Sequence, residues 1–325
     1  MRRQFLRLAL SAMLVALAGP ALAQHYPAKL IRLIVGFAPG GPTDILARIT
    51  AEAFGKVLKQ SVIVDNKPGA GGLLAAQQFV KADADGYTLM FAGDGQLTLL
   101  PQLFPKAGYD TERDMTPLRT VAAQNNVLMV NKVAGIGNVS QLVAKAKARP
   151  GTISFGSAGN GTPTHLVGII FEEATQTKLM HVAYKGAGPA MTDLIGGQID
   201  MMFVGSPVAI QQASRRELAA LAVTGDTRMA SMPDVPTFSE LGIKGLGDDT
   251  SAWWAVMAPA NLPPAIESAL DLALDQATKS AELVATFAAQ GAERRLRSKA
   301  ETSAQIQIDR ARWATFIKAG RITTE

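Results

Sequence analysis

The sequence predicts an α/β protein of two lobes joined by a hinge, and three observations carry that expectation. Short β-branched or aliphatic runs alternate with helical patterns beyond residue 24, as in α/β architecture with largely parallel sheets. A strand, a glycine loop and a helix start follow one another twice, at residues 33–44 and 153–164. Polar stretches at Asn125-Asn126 and at residues 245–249 read as crossings between lobes. They divide the chain into lobe one, residues 25–124 plus 250–325, and lobe two, residues 125–249. Two crossings make a hinge that opens and closes on a ligand.

Residues 29–35 read as a first strand, and residues 44–58 as a helix with Ile45, Leu46, Ile49, Ala53, Val57 and Leu58 on one face. Strands at 61–64 and 87–92 flank a helix at 73–82. The alternation restarts with a strand at 127–130, a helix at 139–148 and a strand at 152–156. A helix at 163–175 follows the second glycine loop, and a strand at 179–184 leads into a short helix that stops at Gly196-Gly197, glycines placed for a helix end. Strands at 199–204, 218–224 and 252–257 complete the pattern, with mostly helix from Pro264 onward.

The first 23 residues read as a signal peptide: Arg2, Arg3 and Arg7, a short apolar run, then Ala21-Leu22-Ala23 as cleavage site. The apolar run is shorter than the roughly 20 residues a membrane helix needs. The paired arginines fit twin-arginine as well as Sec export. The expected product is periplasmic and without a membrane span. Cleavage removes three arginines and no acids, so the net charge falls from +5 to +2 and no nucleic-acid partner is implied. The chain has no cysteine, which excludes disulfides, thiolate metal sites and a lipoprotein anchor. Its stability must come from its core, and 325 residues with 48% hydrophobic content supply one.

Both glycine loops end at a helix N-terminus, where unpaired N–H groups favour an anion by about 0.3–1 kcal/mol per exposed charge. The first offers Phe37, Gly40, Gly41 and Thr43, with Asp44 as a helix cap or loop brace. The second offers Ser157, Gly159, Asn160, Gly161 and Thr162, with Pro163 at the first helical position and His165 packed behind. A third strand-to-helix junction contributes Tyr184, Gly186 and Ala187. Together they describe a small anionic ligand held between two lobes.

Catalytic signals are thin. Ser157, His165 and Asp200 form a conceivable triad, but Gly156-Ser157-Ala158-Gly159 is not a nucleophile elbow. No phosphate loop or dinucleotide fingerprint occurs, and His25, His165 and His181 lack metal-ligand spacing. Neither a cofactor nor a metal is expected. A binding module is the leading reading; an exported hydrolase or lyase and a receptor feeding a sensor protein are the alternatives.

The motifs also resemble a known family, the Bug-type extracytoplasmic solute receptors of tripartite tricarboxylate transporters. The resemblance rests on Tyr26-Pro27, residues 38–48, 64–72 and 84–89, Gly161-Thr162-Pro163-Thr164-His165-Leu166, Tyr184-Lys185-Gly186, residues 193–200, Asp234-Val235-Pro236-Thr237 and Ala258-Pro259. It implies a two-lobed periplasmic-binding-protein fold, type II-like, closing on a small carboxylate held by loop amides, hydroxyls and waters. It also implies delivery, by a monomer, to the large and small integral subunits of a membrane permease. One stretch departs from the family pattern: leucines replace the usual His and Asn after Gly93-Asp94-Gly95-Gln96. Asp94 and Gln96 are therefore expected to read the distal end of the ligand, and that end is not a bare second carboxylate.

Overall fold

The computed structural model describes residues 26–104, 106–247, 251–320 and 322; the signal peptide expected at 1–23 lies outside them. Ile31–Val35 (β1) is a buried aliphatic strand, and Pro42–Leu58 (α1) follows with Leu46 and Phe54 fully buried against it. Val62–Asn66 (β2), Leu73–Phe79 (α2) and Thr88–Gly93 (β3) complete a parallel unit in which β1 pairs with both β2 and β3. Short helices at Asp94–Thr98 (α3), Leu100–Leu103 (α4) and Thr111–Asp114 (α5) lead into Met115–Gln124 (β4).

The chain then changes sheets. Asn126–Asn131 (β5), Val139–Ala148 (α6), Ser154–Ser157 (β6) and Pro163–Thr175 (α7) begin the second unit. Met180–Ala183 (β7), Ala187–Ile195 (α8), Met201–Gly205 (β8), Ser206–Gln212 (α9) and Leu218–Val223 (β9) complete it. Ala252–Pro259 (β10) returns to the first sheet, followed by Pro264–Lys279 (α10), Ala281–Ala289 (α11), Ala292–Arg297 (β11) and Lys299–Lys318 (α12).

The sheets are ordered β11-β4-β10-β3-β1-β2 and β7-β6-β8-β5-β9. Neither is largely parallel, contrary to the expectation from sequence. β10 runs antiparallel to β3 and β4, β11 to β4, and β5 to both β8 and β9. Strands buried on both faces read as continuous apolar runs in either direction, so hydropathy leaves direction open.

Two strands were absent from the sequence reading. β4 carries Pro117 and Arg119 among its apolar residues, and Arg119 is neutralised by Asp271 and Asp275 of α10 at 2.9 and 3.0 Å. β11 reads Ala-Glu-Arg-Arg-Leu-Arg, a helix-forming composition that edge pairing to β4 overrides.

Only Asn125 separates β4 in the first sheet from β5 in the second. Its Oδ1 accepts a 2.8 Å bond from Ser251 Oγ, which ties the outgoing crossing to the returning chain. The C-terminal helix departs from the expected assignment to lobe one. Its Thr302 bonds Thr120 of β4, but Trp313, Phe316 and Ile317 pack into the core formed around β5, β6 and α7. An apolar stripe at the end of the last helix needs a cover, and the second unit provides it.

Candidate functional site

The two glycine loops and the third junction meet where the sheets face one another. Phe37, Gly41, Pro42, Thr43, Gln124, Asn126, Ala158, Thr162, Pro163, Thr164, Ala187 and Trp254 line one cleft between them. The N-termini of α1, α7 and α8 all open into it, so their unpaired N–H groups and positive dipole ends converge. No Lys, Arg, Asp or Glu side chain is among these lining residues. The site therefore offers an anion backbone and hydroxyl donors in place of a countercharge.

The lobes are closed on this cleft, which keeps only about 30 Å³ of free space, room for about one water. Glycines allow the approach. A Cβ on Gly95 would sit 2.2 Å from the Gly161 carbonyl oxygen, and one on Gly71 2.6 Å from that of Asn160. At the opposite lip Gly186 faces Ala38, and Gly41 faces Ala187. A ligand larger than water enters only after the lobes part.

Of the residues expected from sequence, Phe37, Gly41, Thr43, Thr162 and Ala187 line the cleft. Thr43 is oriented by Trp254, whose Nε1 donates to its Oγ1 at 3.1 Å, and Trp254 in turn stacks on Phe91. Removing that donor with Trp254→Phe should weaken ligand binding by about 1 kcal/mol, some fivefold, as titration calorimetry would register.

Other expected contacts form the frame of the cleft. Asp44 does not cap α1, which Gly41 does; its carboxylate accepts from Gly40 N at 3.0 Å, Arg48 Nε at 3.0 Å and Asn66 Nδ2 at 2.9 Å. Burial opposes its ionisation, but these donors outweigh burial and hold the carboxyl below its usual range. Gly40 is thus locked to Asp44 with φ of 83°. Ser157 is fully buried and accepts from Gly159 N at 3.1 Å. Gly159, Asn160 and Gly161 press against Gly71 and Gly95 of the other lobe. Gly186 starts α8, and Tyr184 turns away, its hydroxyl donating to Asp193 Oδ2 at 2.7 Å.

His165 is a frame residue as well. Its Nδ1 accepts from Gly161 N at 3.1 Å, and its ring stacks on His181, whose Nε2 lies 2.6 Å from Ser157 Oγ. Asp200 is engaged with Ser154, so no Ser-His-Asp triad assembles around Ser157.

Asp94 and Gln96 are not brought to the cleft, a correction to the expected selector. Both start the short helix α3, whereas the sequence reads as a loop. The Gln96 amide accepts from Gly93 N at 3.2 Å and donates to Gly72 O at 3.2 Å, fitting beneath Gly36 and Gly72, which have no Cβ to obstruct it. Asp94 faces a separate cavity on the Trp253 side of β10.

Gln124 and Asn126 were missed, although they carry the plainest signal of ligand contact. Asn126 is fully buried and Gln124 is 3% exposed, yet Gln124 Oε1 and both amide atoms of Asn126 lack a hydrogen-bond partner. Buried polar groups are nearly always paired, so three orphan atoms aimed at one cleft are an unmet demand for a ligand's polar atoms. A polar residue on each side of the crossing, ending one apolar strand and beginning the next, was the sequence signal.

The titratable groups around the site set a pH profile. Burial pushes His165 down to about 3, with His181 adding to it, and burial pushes His181 to about 4. The unfolded chain binds these protons near pH 6.5, so their contribution to stability is full above that pH and is lost as the pH falls. Asp94 behaves oppositely: burial, then the charge of Asp309, raises it to about 8. Its contribution is full below the usual carboxylate range and is lost as the pH rises toward 8. Thermal melts should therefore decline from pH 6.5 to 8 in the wild type, and Asp94→Asn should flatten that limb and steepen the loss of stability from pH 6.5 down to about 4, where the Asp94 slope opposes that of the histidines.

Comparison with known proteins identifies the architecture. The family model described as "Tripartite tricarboxylate transporter family receptor" matches residues 46–322. The chain belongs to that family. It is 34% identical over 303 residues to BugT of Bordetella pertussis, covering 93% of this chain and 92% of that protein. The solved periplasmic binding protein BugD superposes with TM-score 0.86 at 30% identity, covering 92% of this chain and 100% of its own. An R. palustris protein solved with adipate superposes with TM-score 0.87 at 29% identity, covering 92% and 99% respectively. The fold is the two-lobed periplasmic-binding-protein fold, and the chain is a solute-binding receptor of the transporter family rather than an enzyme. Among the described residues no helix is long and apolar enough to cross a membrane.

Proposed function

We propose that this receptor captures a small carboxylate between residues 25–124 plus 250–325 on one side and 125–249 on the other, with the α12 end strapped to the second lobe. The carboxylate sits on the converging N-termini of α1, α7 and α8, with the Thr43 and Thr164 hydroxyls and Asn126 Nδ2 as further donors, while Gln124 Oε1 and Asn126 Oδ1 accept from donors elsewhere on the ligand and the Thr162 hydroxyl is held by Gly159 O at 2.7 Å. Gly40, Asp44, Ser157, Gly159, Asn160, Gly161, His165, Tyr184 and Gly186 hold those donors in place. The protein is exported by the Sec or twin-arginine route, loses residues 1–23, and acts as a monomer that hands its ligand to the large and small membrane subunits of the permease.

The observation that supports this most directly is a cleft of helix N-termini and unpaired amides with no charged side chain on its wall. Such a site stabilises one carboxylate and leaves the ligand's remainder to shape and amide pairing. A thermal-shift panel of mono-, di-, amino- and aromatic carboxylates tests it, with matched amines as controls. Saturating ligand at a hundredfold excess over its Kd raises stability by about 2.7 kcal/mol. Stabilisation by the amines and by none of the acids would refute the reading. Recovery of the ligand chemically unchanged separates the receptor from a hydrolase or lyase.

A further inference from the structure

A second cavity, of about 500 Å³, lies between the lobes on the other side of β10 from the cleft. Leu166, Val167 and Ile170 of α7 form its wall in the second lobe. Facing them are Asp94, Trp253, β11 with Arg295 and Arg297, and α12 with Asp309, Arg312 and Trp313. Three of its polar atoms are buried without a partner: Asp94 Oδ1, Arg297 Nη1 and Trp313 Nε1. Asp94 and Trp313 are only 7% and 5% exposed. The other acid is already used, for Asp309 accepts from Trp253 Nε1 at 2.8 Å and Gln305 Nε2 at 3.0 Å.

From this constellation we infer that the cavity is a second ligand site, for a small hydroxycarboxylate that binds there whether or not the cleft is occupied. Arg297 Nη1 and Trp313 Nε1 can only donate, so the occupant must bring an acceptor, and a carboxylate is the acceptor that a guanidinium N–H binds most strongly. Asp94 fixes the second requirement. A hydroxyl pairs with its carboxyl whether that group is protonated or ionised, whereas an ammonium needs it ionised. An occupant contacts α7 of the second lobe and Asp94, Trp253 and β11 of the first, so it also holds the lobes together. Pro163 lines both cavities, which places the first turn of α7 between the two ligands.

The test is titration calorimetry with lactate and malate against propionate and succinate, their counterparts without the hydroxyl, followed in parallel by tryptophan emission. Asn126→Leu weakens the cleft event at least fivefold and leaves this cavity's lining unchanged. In that background lactate or malate should still bind here with the parent affinity and perturb the emission of Trp253 and Trp313, which line this cavity. The acid lacking the hydroxyl should bind roughly tenfold more weakly. Arg297→Met and the near-isosteric Trp313→Phe should each weaken the residual event roughly tenfold and leave cleft binding in the parent chain intact, which also shows that both variants fold. Loss of all binding in Asn126→Leu, no second event with either hydroxy acid, or a residual event indifferent to both variants overturns the inference.

Discussion

Gly95→Ala should abolish closure of the receptor while leaving its lobes folded. Gly95 lies inside α3 with helical backbone, where alanine is the better residue by about 0.5–1 kcal/mol. The obstacle is across the cleft: the new Cβ would meet the Gly161 carbonyl oxygen at 2.2 Å, against backbone that has no side chain to swing aside. The lobes must back away, and the N–H groups of α7 then lose their grip on a ligand held by α1. Since a ligand's apparent affinity scales with the population of the closed state, a roughly hundredfold loss, about 2.7 kcal/mol, is the expected outcome. Calorimetry should record that loss with an unchanged or raised Tm, and small-angle scattering should show a larger radius of gyration. Wild-type affinity in Gly95→Ala would mean that closure does not operate through this contact.

Asn126→Leu should separate binding from stability in the opposite direction. The side chain is fully buried at the crossing between the sheets, and neither of its amide atoms has a partner. Its backbone pairing with Thr224, 2.8 Å from N to Oγ1, does not depend on the side chain. Leucine has the same number of side-chain heavy atoms with the same branching and no polar atoms to strand, so the empty receptor should gain about 1–2 kcal/mol. Ligand affinity should fall by about 1–3 kcal/mol, at least fivefold, because the ligand's polar atoms lose their partner. A denaturant curve and a binding isotherm on one preparation decide it. A variant that is less stable and binds normally would assign Asn126 to the fold alone.

Much of this architecture was legible from local chemistry. Pro163 after Thr162 marks the start of α7, and the glycine loops lead into helices as their composition requires. What escaped was set by partners far away in sequence. β11 carries residues that favour a helix, and only the exposed edge of β4 makes it a strand. Asp94 and Gln96 read as selectors because they stand where the chain departs from the family pattern, yet the direction in which a side chain leaves α3 follows from packing, which seats Gln96 beneath Gly36 and Gly72. Tyr184 likewise is claimed by Asp193, nine residues onward. Conversely, Asn126 reads as part of the crossing and Gln124 beside it does not stand out, since sequence alone does not reveal that a crossing one residue long also lines the cleft.

The choice of main-chain donors at the cleft has a consequence for how such a receptor can diversify. A peptide N–H survives almost any side-chain replacement, so in the proposed binding mode the grip on the first carboxylate is largely immune to drift in α1, α7 and α8 as long as the loops keep their path. In that mode recognition of the rest of the ligand falls to a few replaceable side chains, Gln124 and Asn126 foremost. New preferences can therefore arise by single substitutions at these residues, with the anchoring chemistry inherited unaltered.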